Sequence, residues 1–159
     1  MKRRETGLGA LELAIGSLVL IVVVMICLDL GMVMLCNGAL DRAARDAGRA
    51  AAQQETVADA RQAAAAALLS HRTDGYWISQ PQLTSPNPPD FVYNDFNGNP
   101  LAGNPTVTVT TGCTVRLPIP IDFLGQKLAP VGNGGPGTID FRRQYSFPIV
   151  RFRLAPQFR

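Results

Sequence analysis

The sequence predicts an α+β protein: a long N-terminal helix, serving as a transmembrane stem and continuing as an alanine-rich helix, followed by a small antiparallel β domain. Three observations carry this. Residues 13–36, LAIGSLVLIVVVMICLDLGMVMLC, form an apolar run in which Asp29 is the only charge. Residues 37–72 are dominated by Ala, Gln, Arg and Asp, all but the last strong helix formers. Aromatic residues gather after Gly75, with Trp77, all three Tyr and all seven Phe, so the folded core is expected downstream of the helices.

The apolar run is long enough to be an anchor. At 1.5 Å per residue it reaches about 36 Å, against a hydrocarbon core of about 30 Å. A secretory signal has an apolar centre of only about 7–15 residues followed by a small-x-small cleavage site, and no such site follows directly here. Lys2, Arg3 and Arg4 precede the run, which sets the N-terminus in the cytoplasm and the remainder outside. Arg42, Arg45 and Arg49 weigh the other way, but the sequence after Ala50 has a secreted character, and the outward orientation is favoured. Two acids break the pattern: Glu12 at the start of the run and Asp29 near its end. A carboxylate in a bilayer is costly and has a partner or a function, unless it lies at the interface where water reaches it.

The alanine-rich segment is expected to prolong the stem to about Ser70 as one helix or two collinear segments, with a bend near Asn37 and Gly38. Asp41–Arg45 and Arg42–Asp46 are four apart and can pair across its exposed face. Leu40 with Ala43, Ala47, Ala50 and Ala58 offers a side of small residues that another helix can approach closely. The expected divisions are 8–36 for the membrane helix, 37–72 for the alanine-rich extracytoplasmic helix, 73–105 for a Pro/Asn/Gly-rich loop region, and 106–159 for the β domain. In the loop region Pro81, Pro86, Pro88, Pro89, Pro100 and Pro105 exclude helix. Strands are expected from Thr106. Val107 and Val109, then Cys113 and Val115 after a slip at Gly112, point to the core, and Gly112 marks a bulge. The closing strands are TIDFRRQYSF and PIVRFRLA.

Chemistry is sparse. The single histidine, His71, gives neither a metal cluster nor a triad, and Gly132, Gly134, Gly135 and Gly137 are not followed by the Lys-Ser/Thr of a phosphate loop. Asp122 and Asp140 would pair only by coincidence. No enzyme activity, metal or cofactor is expected. The formal charge of +3 is modest, and the C-terminal arginines Arg142, Arg143, Arg151, Arg153 and Arg159 read as charges on solvated edge strands, with no nucleic acid as partner. Of three cysteines, Cys27 lies in the apolar run as a small hydrophobe, while Cys36 and Cys113 could bridge outside the cytoplasm or remain free.

The N-terminal arrangement resembles pilin precursors processed by prepilin peptidase, most closely the TadE-like minor pilins (pseudopilins) of the tight-adherence, Flp-type pilus system. Carrying the resemblance are a short basic leader ending in Gly7, Glu12 five residues on, the element LDLG with Asp29 and Gly31, and ALDRAARDAGRAAA, similar to a juxtamembrane AAREGAR stretch. Where that family usually has an aromatic after the glutamate, this chain has Leu13. The resemblance covers roughly Thr6 to Ala52 and implies several things. Residues 1–7 are a leader, cut between Gly7 and Leu8. Glu12 sets register between stems by pairing with an N-terminal amine. Asp29, Gly31, Arg42, Arg45 and Arg49 are candidates for helix packing or polar contacts. The implied partners are prepilin peptidase, other major and minor pilins, and the assembly platform of the inner membrane. The mature protein sits in that membrane with its C-terminal domain outside, or is incorporated into a surface pilus. The competing reading is an unprocessed single-pass accessory or scaffold protein of an envelope complex, in which Gly7 and Glu12 are accidental.

Overall fold

A computed structural model describes residues 5–84, 89–99, 101–117, 122–123, 126–127 and 137–151. It shows an α+β architecture in which a small antiparallel sheet and a second helix pack on the distal half of one long helix.

Helix α1, Glu5–Ala52, runs unbroken from Glu5 through the apolar run into the alanine-rich segment. The helix is continuous through Asn37 and Gly38, where the sequence suggests a bend, and nothing lies within 4 Å of a Cβ built at Gly38. From Cys36 onward one stripe is fully buried: Cys36, Leu40, Ala43, Ala44, Ala47 and Ala51. The spacing follows the helical period, so these side chains share the face that the head covers.

Helix α2, Val57–Ser70, is where the expectation of a continuous or collinear rod fails. The chain turns at residues 53–56 and folds back, so that Ala60, Ala64 and Leu68 meet Ala43, Ala47 and Ala51 in one core. Thr56 starts α2 as its N-cap: its hydroxyl accepts from the Asp59 backbone N–H at 3.2 Å and donates to the Asp59 carboxylate at 2.7 Å. The other end is closed by Gln80, whose Nε2 donates to the carbonyls of Leu68 and His71 at 2.9 and 2.7 Å. Small side chains let the helices approach closely, which is why an alanine-rich sequence forms a hairpin here.

Two short strands, β1 (Gln82–Leu83) and β2 (Phe91–Asn94), lie in the stretch expected to be loop. A turn of 3-10 helix, Phe96–Gly98, leads toward β3, Thr106–Arg116. The pair β4 (Asp122–Phe123) and β5 (Gln126–Lys127) forms a separate two-stranded ribbon, and β6 spans Thr138–Pro148. Strand β3 is central. β6 pairs antiparallel along its whole length, from Thr106↔Pro148 to Arg116↔Thr138. That occupies one edge, so β1 and β2 follow one another along the other, as Leu83↔Thr111 and Phe91↔Val109.

Gly112 is not a bulge. The β3–β6 register passes through Gly112↔Arg142 without interruption, and Val107, Val109, Thr111, Cys113 and Val115 are all buried. One unbroken alternation places the five on one face, so no slip is needed. What requires glycine there is space: a Cβ on Gly112 would strike the Thr84 methyl. Of the last strand expected from the sequence, PIVRFRLA, the second half falls outside the described residues; Pro148 closes β6, and Ile149 to Arg151 are not in a strand.

Candidate functional site: the stem helix and its junction with the head

Among the described residues, most of the proximal half of α1 has no cover. Leu11, Leu13, Ile15, Leu18, Leu20 and their neighbours up to Leu30 are exposed, Leu13 by 77%. One helix, Gly9–Ala52, is long and apolar enough to cross a membrane. An exposed apolar surface of this extent is not tolerated in water and has to be met by lipid or by other helices. The molecule thus fits a single-pass membrane protein.

Glu12 and Asp29 are seventeen residues apart on this helix, about 25 Å along its axis. That separation is close to the thickness of a hydrocarbon layer, about 30 Å. Glu12 is exposed and has no hydrogen bond or ion pair among the described residues. Asp29 is 8% exposed, and its Oδ1 has no hydrogen-bond partner among the described residues. Gly31 is half-buried, and a Cβ built on it meets nothing within 4 Å. Gly7 and Leu8 lie within α1, near its N-terminus, and residues 1–4 fall outside the described residues.

The three juxtamembrane arginines divide. Arg45 is engaged within the chain: its guanidinium meets Asp41 at 2.8 Å, and its Nε donates to the Tyr145 hydroxyl at 3.3 Å. That hydroxyl in turn donates to the Asp41 carboxylate. The Tyr145 contact, then the Asp41 charge, push the Arg45 pKa above its ordinary value. Arg49 faces Asp46 at 3.9 Å. The expected Arg42–Asp46 pair does not form: Asp46 turns to His71, at 3.0 Å, because the folded-back α2 brings that imidazole alongside. Arg42 is exposed and has no partner among the described residues.

Sequence reasoning missed the residues that dock the head on the stem. Arg143 Nη2 donates to Asn37 Oδ1 at 2.6 Å, and Tyr145 engages Asp41 and Arg45. Both belong to β6, on the odd-numbered face that looks at α1, and that parity was readable once β6 was placed. Phe147 lies on the same face and fills the space over Gly48, where a Cβ would run into its ring. Ala52 O accepts from the Val150 N–H at 2.9 Å and Gln54 O from the Tyr93 hydroxyl at 3.0 Å, which ends α1 without a glycine cap. The Cys36 and Cys113 thiols, far apart in sequence, meet in a second buried cluster with Leu40 and Val115. Among the described residues, no group of three or more His, Cys, Asp or Glu is placed to hold a metal ion.

The molecule is an exposed apolar stem helix carrying a small α+β head on its distal half. The family model of the TadE-like protein matches residues 7–49, beginning on Gly7 and ending just short of the turn into α2. Over those residues the stem is similar to TadE-like proteins, in keeping with a protein of Tad pilus systems. No curated protein and no solved structure matches the chain.

Proposed function

We propose that this chain is a minor pilin, or pseudopilin, of a Tad/Flp-type pilus, cleaved after Gly7 by prepilin peptidase and packed through α1 among other pilin stems to prime or complete assembly of a pilus for adherence. The observation that carries the reading is that the TadE-like match over residues 7–49 takes in the apolar, exposed segment of α1 and continues into the stretch of the same helix on which the head packs.

In this reading the precursor lies in the cytoplasmic membrane, with the leader inside and the head outside. Cleavage removes Lys2, Arg3, Arg4 and Glu5 and creates an α-ammonium on Leu8. Glu12, one helical turn further on, has no partner among the described residues and accepts that ammonium, its own or a neighbour's. Leaving either charge unpaired among packed stems is strongly unfavourable, so the pair fixes the axial register of one stem against the next. Asp29 and Gly31 at the outer border, with Arg42 and Arg49 above them, offer polar and close-approach positions for adjacent stems. Arg45 serves its own head instead. The inner-membrane assembly platform and the other pilins are the partners.

The test is the intact mass of the membrane-extracted protein, produced with and without its prepilin peptidase. Loss of residues 1–7 only in the presence of the peptidase is expected. An unchanged mass in both samples would make the chain an unprocessed single-pass accessory protein instead. A Glu12→Ala variant separates processing from assembly: it is expected to be cleaved but to fail in incorporation. If it is incorporated and functions like the parent, the register role is gone.

A further inference from the structure

The junction between stem and head contains a pair of thiols. Cys36 sits on α1 at 0% exposure and Cys113 on β3 at 5%, closed in by Leu40 and Val115, with Met32, Ile78, Leu117 and Phe141 around them. The Cys36 and Cys113 side chains share this cluster, and both are free thiols. The neighbouring Cys36 sulfur, followed by burial, pushes the Cys113 pKa up. Cys27, the third cysteine, is exposed on the membrane-facing part of α1, nine residues or about 13 Å below Cys36, and is not part of the cluster.

Two of the three cysteines, far apart in sequence and on facing elements, come together in one buried cluster. We infer that Cys36 and Cys113 are a redox site, oxidised to a disulfide that joins the stem helix covalently to the central strand of the head. This rests on the outward orientation of the head in the proposed function, since disulfides persist outside the cytoplasm and not within it.

The oxidant is a disulfide-bearing donor of the extracytoplasmic space, of the thiol–disulfide oxidoreductase class. The thiolate of one cysteine attacks a donor sulfur and forms a mixed disulfide, and the second thiolate displaces the donor. Each cysteine gives up one proton, two electrons pass to the donor, and the donor leaves as a dithiol. Both thiols are buried in the folded head, so the exchange takes place before the sheet closes over α1. Afterwards the burial protects the bond from reductants. The bond closes the long loop between residues 36 and 113, which contains α2, β1 and β2. The head then cannot separate from the stem even where the alanine and valine core opens locally.

The experiment uses the unsubstituted full chain in its native envelope. Spheroplasts are quenched in acid, and the protein is denatured and alkylated with a maleimide, with or without prior reduction, for intact-mass and peptide measurement. One adduct before reduction, located at Cys27, three adducts after reduction, and a linked peptide pair containing Cys36 and Cys113 are expected. Three adducts before reduction, or a linkage involving Cys27, would overturn the inference. Added protease on parallel spheroplasts reports independently where the head lies. A digested head with three free thiols sinks the disulfide alone; a protected head with three free thiols sinks the orientation with it.

Discussion

At the residue scale, Thr56 and the glycines of α1 show how little side chain is needed to direct this chain. Thr56 satisfies the Asp59 N–H and marks where α2 begins, so Thr56→Ala is expected to cost about 1 kcal/mol, read as a shifted denaturation midpoint of the detergent-solubilised chain. The glycines differ by what stands over them. Gly48 lies under the Phe147 ring, and Gly48→Leu forces that ring away from α1, with a loss of about 1–3 kcal/mol. Gly38 faces open space within a continuous helix, and Gly38→Ala is expected to stabilise by about 0.5–1 kcal/mol. A denaturation series on the two variants reads both signs; equal effects would refute the close contact at Gly48. The segment Thr56-Val57-Ala58-Asp59 has the Ser/Thr-x-x-Asp/Glu spacing of a helix start, so the break before α2 was legible in the sequence. The alanine content concealed it, because helix propensity on both sides argues for continuity. No local feature distinguishes Gly48 from Gly38, since what separates them is a ring contributed from about a hundred residues downstream.

Among the elements, β6 decides how head and stem are joined. Its odd positions bring Arg143 to Asn37, Tyr145 to Asp41 and Arg45, and Phe147 to Gly48. Tyr145→Phe keeps the ring and removes the hydroxyl that links Asp41 to Arg45; a loss of about 1 kcal/mol is expected from equilibrium unfolding. A double-mutant cycle with Asp41→Ala would show coupling if the hydroxyl contact exists and additivity if it does not. Strand β3 was legible from its alternation of Val and Thr. Its partners β1 and β2 were not, because they are two and four residues long amid prolines and asparagines, and they become strands only by bonding to a formed β3 edge. The Arg42–Asp46 pair fails for a related reason: spacing makes a helix pair available, while a neighbouring helix supplies His71 as the competitor.

For the molecule as a whole, two halves of one helix do different work. Among the described residues most of the proximal half is uncovered, and the distal half is the floor of the head. Val109→Ala, in the core with Ala47 and Ala51, is expected to cost about 2 kcal/mol of head stability, whereas Leu20→Ala on the exposed stem changes it by less than about 0.5 kcal/mol. Protease resistance of the head in membrane-extracted protein measures both, and equal losses would contradict the division. Unaided, the sequence determined the α+β class, a helix long and apolar enough to cross a membrane, the strand that begins at Thr106 and the resemblance of the stem to TadE-like proteins, because hydropathy over 24 residues, Val/Thr alternation and the spacing of Gly7 and Glu12 are local, additive signals. Tertiary structure alone decided that the alanine-rich segment folds back as a hairpin, that Arg45 serves the head while Arg42 does not, and that Cys36 lies against Cys113. Each of these depends on which distant surface arrives to cover a face, and with alanine, glycine and cysteine several coverings are sterically open until the whole chain packs.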